Sequence, residues 1–374
     1  MLQQEKGGNR PYRTMSNPEH VMSKSAFKVH LEELRTLVEA ALVKELDRTG
    51  WPSSLKTAVE YSLMAGGKRL RPVLVLLAND VCGGRREEAI PAACAIEMIH
   101  TYSLIHDDLP SMDDDDFRRG RPTSHRVFGE ALAVLAGDCL LTMAFETIAA
   151  ARLNAPQIAE SVRLLAVAAG GAGMVGGQVL DLEAERGSFR AAGEAGQGGQ
   201  FAKNDGCHSN RNAVQNTTNS AGFAAVSEIL RSPISDSEQN DSNRTAETRV
   251  VELTQIHKMK TGALIAGALE LGAVSAVADQ DSRNQLRHYG HCIGLAFQIA
   301  DDLLDVTGDQ TKLGKKPGRD VDLGKLTYPS LLGIENSRTK AEQLVHEACH
   351  AVDFFGERGV WLKELARFIV ERDH

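Results

Sequence analysis

The chain has 374 residues, 42% of them apolar and 5% aromatic, with 50 acidic against 42 basic side chains and a formal net charge of −8. That is enough apolar material for a large core, and the acidic balance argues against general nucleic-acid binding, which draws on a basic excess. No run of 18 consecutive apolar residues occurs, so no membrane span is expected.

Residues 1–25 are polar, have no apolar core of a secretory signal and are expected to form a disordered tail. From Phe27 the pattern is helical: Val29, Leu31, Leu34, Leu37, Val38 and Ala41 recur at three- and four-residue spacing until Trp51-Pro52 breaks it. A second helix runs from near Leu55 to the stop at Gly66-Gly67. The run Val73–Ala78 reads alone as a buried strand, but its continuation favours a buried helix. Ala92–His106, Glu130–Ala151, Ile158–Ala169 and Leu264–Leu271 read as helices too. No period-two alternation indicates a sheet, so the expected class is all-α, a single-domain helical bundle over residues 26–374. Between Gly187 and Ala246, 26 of 60 residues are Gly, Ser, Asn or Gln and eight are Val, Ile, Leu, Met or Phe. Such a stretch buries too little apolar surface to offset its ordering entropy, and it reads as a disordered insertion or lid-like loop at 187–246. The six cysteines, Cys82, Cys94, Cys139, Cys207, Cys292 and Cys349, contain no CxxC pair. They suggest neither a disulfide framework nor a zinc site, and a cytoplasmic location is expected.

Two acidic clusters carry the chemistry. In His106-Asp107-Asp108-Leu109-Pro110-Ser111-Met112-Asp113-Asp114-Asp115-Asp116, the carboxylates Asp107 and Asp108 end an apolar helix. Pro110 then turns the chain and brings Asp113 back toward them. A solvated acidic loop is the plain alternative; an EF-hand lacks its mid-loop Gly and terminal Glu. Oxygen ligands without His or Cys suit Mg²⁺. In Asp301-Asp302-Leu303-Leu304-Asp305, i,i+3 and i,i+4 spacing puts the carboxylates on one side of a mostly apolar helix. Three like charges there call for a multivalent cation or for salt bridges to neighbouring helices. Basic residues lie near both clusters: Lys68, Arg69 and Arg71; Arg118 and Arg119; Lys258 and Lys260; Lys315 and Lys316; and Lys325. Each alone is an ordinary surface charge. Together with the carboxylates they match a diphosphate, bridged to Asp through Mg²⁺ and bound directly by Arg and Lys. No P-loop or dinucleotide fingerprint is present.

The segments GGKRLRP, HDDLPSMDDDD, RRGRPTSH, GGQVLD, KTGALI, FQIADDLLD and LGKLTYPSLLG, in this order, resemble the isoprenyl diphosphate synthases and look most like their bacterial farnesyl branch. The resemblance spans Phe27 to the C-terminus apart from the insertion. It implies an all-α bundle around a deep central cavity, a homodimer, and two Asp-rich motifs facing each other across the cavity mouth with about three Mg²⁺ on an allylic diphosphate. It implies metal ligation by Asp107, Asp108 and Asp113, and by Asp301 and Asp305, with Asp302 and Lys260 also in the catalytic set. Arg118, Lys260, Thr261, Gln298 and Lys315 resemble allylic diphosphate ligands. Gly67, Lys68, Arg71, His100 and Arg119 resemble the isopentenyl diphosphate site, and Lys325 a further substrate-binding lysine. The implied activity is condensation of isopentenyl diphosphate with dimethylallyl and geranyl diphosphate to farnesyl diphosphate. The prenyl tail would run from Asp107 past Ser103, with Tyr102 setting the chain length. In the farnesyl branch an aromatic at that position and the long DDLPSMD spacing go with a C15 product. A geranylgeranyl or longer-chain synthase is the nearest rival. A class I terpene cyclase or a silent regulatory subunit fits less well, because two intact Asp motifs accompany a GGKR-type site.

Overall fold

The computed structural model describes residues 24–47, 50–193, 246–307 and 325–371. The N-terminal tail through residue 23, most of the polar insertion, Lys315 and Lys316 lie outside the described residues. The elements in chain order are α1 (Lys24–Leu46), α2 (Ser53–Leu63), α3 (Leu70–Val81), α4 (Arg86–Asp107), β1 (Phe117–Arg118), β2 (Arg121–Pro122), α5 (Ser124–Phe128), α6 (Glu130–Ala149), α7 (Ala155–Ala169) and α8 (Met174–Gly193). Beyond the insertion come α9 (Ala246–His257), a π turn (Lys258–Gly262), α10 (Ala263–Ser275), α11 (Gln280–Thr307), α12 (Tyr328–Leu332), α13 (Ile334–Asp353), a 3₁₀ turn (Gly356–Gly359) and α14 (Val360–Glu371). Among the described residues the fold is all-α apart from the antiparallel pair β1–β2, which matches Phe117 with Pro122 and Arg118 with Arg121.

The chain forms two compact units. One comprises residues 1–163, 268–286 and 352–365, the other 164–267, 287–351 and 366–374. The first is built on α4, which packs most extensively on α6 and α3. The run at 73–78 is helical. Every residue from Val73 to Asn79 is buried, which is why periodicity alone could not separate helix from strand. Pro72 sits in the first turn of α3, where its missing N–H costs no helical hydrogen bond. Leu74, Leu76, Ile96 and Ile99 are fully buried, and each such side chain contributes about 1.5–3 kcal/mol of transfer free energy.

By length and composition alone the stretches Glu130–Ala149 and Ala155–Glu185 would suffice for a membrane crossing. In α6 much of that apolar character is used against α4. Ala133, Ala136, Leu140, Met143, Ala144 and Ile148 are buried, and Gly137 lets the helices close, since a Cβ there would sit 2.1 Å from His106 Nε2.

In the second unit α8 and α9 pack on each other and on the π turn, and α9 packs on α12. The helical backbone of α8 continues through Gly193, seven residues into the stretch expected to be disordered from Gly187. The segment Phe189-Arg190-Ala191-Ala192 propagates an already nucleated helix at little cost.

Candidate active site

In the first unit, GGKRLRP forms the link from α2 to α3. Gly66 and Gly67 have φ of +79° and +118°. A Cβ on Gly67 would lie 2.7 Å from Cζ of Arg119, so only glycine admits that guanidinium, which donates to the Gly66 carbonyl. Arg69 turns inward. It is 2% exposed, and it donates to Glu97 Oε1 at 2.8 Å and to the Leu63 carbonyl at 2.7 Å. This clamp fixes a loop whose other cations differ in exposure: Lys68 is exposed and Arg71 half-buried. His100, half-buried on α4, is held well below the usual imidazole pKa by burial first and then by Arg71, Arg119, Arg118 and Arg69. A neutral imidazole among four guanidinium groups marks a strongly electropositive pocket, suited to a multiply charged anion.

The chain after α4 turns back as expected. The Asp113 N–H donates to the Asp107 carbonyl at 2.9 Å and the Asp114 N–H to the Leu109 carbonyl at 3.1 Å. Asp107 is half-buried and Asp113 exposed. Asp108 is buried and accepts from Arg118 Nε on both oxygens, at 2.7 and 2.9 Å. Burial raises the Asp108 pKa, and Arg118 opposes that rise. A small cavity of about 40 Å³ between α2, α4 and the hairpin is lined by Tyr61, Thr101, Leu104, Asp108, Arg118 and Arg119. Tyr102 is 7% exposed and packs edge-on against His106, with ring centroids 5.7 Å apart. Ser103 Oγ donates to the His100 carbonyl at 2.9 Å.

In the second unit, GGQVLD, KTG, DDLLD and KLTYP come together. Lys260 and Thr261 lie in the π turn. A Cβ on Gly177 would lie 2.2 Å from the Lys260 backbone nitrogen, and one on Gly294 2.9 Å from Gly262 Cα. These glycines let α8 and α11 close on the turn. One turn along α8 from Gly177, Asp181 pairs with Lys260 Nζ at 2.6 Å. Glu185, one turn further, pairs with Lys325 at 3.0 Å. Thr261 is buried and Gln298 half-buried. Asp301 and Asp305, both half-buried, are separated by one turn of α11. Asp302 is instead buried, and its Oδ2 accepts from the Tyr328 N–H at 2.9 Å. The Tyr328 hydroxyl lies 2.6 Å from that of Thr254, and its ring lies 5.7 Å from that of His257. Asp302 thus anchors the start of α12, where Thr327 and Ser330 form a capping box. The sequence alone assigns no role to Asp181, Glu185, Tyr328 or Glu97, and Arg69, grouped there with the diphosphate-binding cations, is instead spent on Glu97 and the Leu63 carbonyl. In both motifs the remaining donors are carboxylate oxygens, which fits Mg²⁺.

Two predictions arise here. Gly177→Ala pushes a methyl group into the Lys260 backbone, which cannot swing aside as a side chain would. It is expected to cost about 1–3 kcal/mol in urea unfolding. The second concerns His257, whose pKa burial lowers to about 4. The unfolded chain titrates it near 6.5, so the folded state binds fewer protons in between. Its stability contribution is complete above about pH 6.5 and is lost as pH falls toward about 4, by about 3 kcal/mol. The stability difference between wild type and His257→Gln should therefore shrink across that window; a difference independent of pH contradicts the assignment.

A polyprenyl synthetase family model matches residues 52–194 and 211–354. A geranylgeranyl diphosphate synthase of Cyanophora paradoxa is 39% identical over 347 residues, covering 92% of this chain and 96% of that protein. The farnesyl diphosphate synthase of Bacillus subtilis is 38% identical over 347 residues, covering 92% and 97%. The crystal structure of an FPP/GFPP synthase from Zymomonas mobilis superposes with a TM-score of 0.68 at 33% identity, covering 92% of this chain and 99% of that one. The family match takes in both Asp-rich segments and the lysine turn, and the chain belongs to the polyprenyl synthetase family of prenyltransferases.

Proposed function

We propose that the chain condenses isopentenyl diphosphate head to tail with dimethylallyl and then geranyl diphosphate, releasing farnesyl diphosphate. The relatives include both farnesyl and geranylgeranyl synthases, so the family supports the reaction and not its product length. The observation that carries the C15 reading is Tyr102, a buried aromatic on α4 about one and a half turns before Asp107. A phenol ring there supports a floor under a growing prenyl tail.

In the first unit Lys68, Arg71, Arg119 and His100 hold isopentenyl diphosphate. His100 enters as a hydrogen-bonding neutral imidazole, and the guanidinium groups supply the charge. In the second unit Lys260, Lys325, Thr261 and Gln298 hold diphosphate oxygens, and Asp181 and Glu185 keep the two lysines in place. Asp107, Asp108 and Asp113 in the first unit, and Asp301 and Asp305 in the second, would hold Mg²⁺, which would supply charge stabilisation for the departing diphosphate. The allylic C–O bond ionises, the C4 alkene carbon of isopentenyl diphosphate attacks the cation, and a proton leaves C2. The released diphosphate serves as base, so no side-chain base is required. Apolar walls keep water from quenching the cation. A cytoplasmic homodimer is part of the same proposal, and the exposed Val134 and Leu135 of α6 support the pairing of two copies.

Tyr102→Ala tests the product length. The dephosphorylated products of the variant are expected to shift from farnesol toward geranylgeraniol. An unchanged spectrum places the floor elsewhere and removes the basis of the C15 assignment.

A further inference from the structure

The second unit holds a cluster that the diphosphate chemistry leaves unused. His288 and Cys292 stand one turn apart on α11, and Glu347 comes from α13. Cys292 Sγ lies 3.9 Å from His288 Nε2 and 3.8 Å from Glu347 Oε2. The three donor atoms all fall within 4.8 Å of one another. A tetrahedral ion with bonds of about 2.0–2.3 Å needs donors about 3.3–3.8 Å apart, so small side-chain shifts close the set. Cys292 is 4% exposed, while His288 and Glu347 are exposed, so an ion can enter from solvent.

One thiol, one imidazole and one carboxylate form a mixed S, N, O set. A hard ion such as Mg²⁺ has little use for sulfur or imidazole, whereas Zn²⁺ takes all three donors and keeps a fourth position for water. We propose that His288, Cys292 and Glu347 bind Zn²⁺, stapling α11 to α13.

Without metal the buried thiol donates to Glu347. Burial and then Glu347 push its pKa up to about 12, against the weaker pull of Lys258 and Lys340. Binding therefore displaces the thiol proton to solvent and forms the Zn–S bond. The site is chemically separate from the two Asp motifs. It nevertheless bears on one of them, because α11 continues from Cys292 for about two and a half turns to Asp301. The sequence shows no zinc pattern because only His288 and Cys292 are close in the chain. Glu347 follows 55 residues after Cys292.

The test is a Co²⁺ titration of the full chain, stripped with chelator and held in excess Mg²⁺ so that the Asp motifs are saturated. One equivalent of Co²⁺ should give a thiolate-to-cobalt charge-transfer band, bleached by Zn²⁺ and absent in Cys292→Ala. His288→Ala and Glu347→Gln, both at exposed positions, should weaken Co²⁺ binding by about tenfold or more. Zn²⁺ should also raise the unfolding temperature of the wild type and not that of Cys292→Ala. No band, a band that survives Cys292→Ala, or unchanged affinity in both exposed variants overturns the proposal. None of these readouts depends on prenyl transfer.

Discussion

Asp107→Ala and Asp301→Ala are each expected to lower kcat by at least about 10²–10³-fold while leaving the fold intact. Neither side chain is fully buried, so truncation opens no core cavity. On the proposed function, what is lost is negative charge that would hold Mg²⁺ for the departing diphosphate. Asp302 provides the internal contrast. Its carboxylate is committed to the Tyr328 N–H, so Asp302→Ala leaves a buried donor unsatisfied and should cost about 1–3 kcal/mol of stability. Asp302→Asn keeps an acceptor and should recover most of it. Steady-state elongation beside urea unfolding separates the two roles. Full activity in Asp107→Ala or Asp301→Ala contradicts the assignment of those carboxylates to the metal.

Arg69→Ala is expected to destabilise the chain by about 3–5 kcal/mol, the larger stability effect, although Arg69 lies inside a substrate-binding motif. Its guanidinium is buried against Glu97, itself 2% exposed, with Glu39 Oε1 a further 3.6 Å from Nε. Removing the cation leaves the Glu97 carboxylate buried without its partner and the Leu63 carbonyl without a donor. Arg69 also sits at φ 50°, so the ion pair holds the loop in a left-handed turn that a free chain rarely adopts. Replacing both partners, as in Arg69→Met with Glu97→Leu, should restore much of the stability, since no lone buried charge remains. Activity need not return with it, because Gly67 and Lys68 lose their anchor. Urea unfolding of the two single variants and the double variant measures the coupling. Additive single effects would show that the pair is not a unit.

Most helices were legible in the sequence because their buried faces repeat every three to four residues. The Asp clusters were legible because a carboxylate in an apolar helix needs a compensating partner. The hairpin β1–β2 was not, since two mostly exposed residues per strand carry no alternation. The anchors around the site escaped for a different reason. Glu97 is 28 residues from Arg69, Asp181 is 79 from Lys260, and Tyr328 is 26 from Asp302, so no local spacing links them. The adjacent glycines Gly176-Gly177 carry a local signal for one of these anchors, because paired glycines in a helix mark a close backbone approach. The same distance effect hides the division of the motifs. GGKRLRP, HDDLPSMDDDD and RRGRPTSH belong to the first unit, and the four later segments to the second.

The most direct measurement is product analysis. Purified protein would be incubated with Mg²⁺, labelled isopentenyl diphosphate and dimethylallyl diphosphate, and the dephosphorylated products separated by chromatography. The account predicts farnesol as the main labelled alcohol and no label incorporation after chelation of Mg²⁺. Geranylgeraniol as the main product would contradict the role given to Tyr102, and a folded protein that extends no allylic diphosphate would contradict the account as a whole.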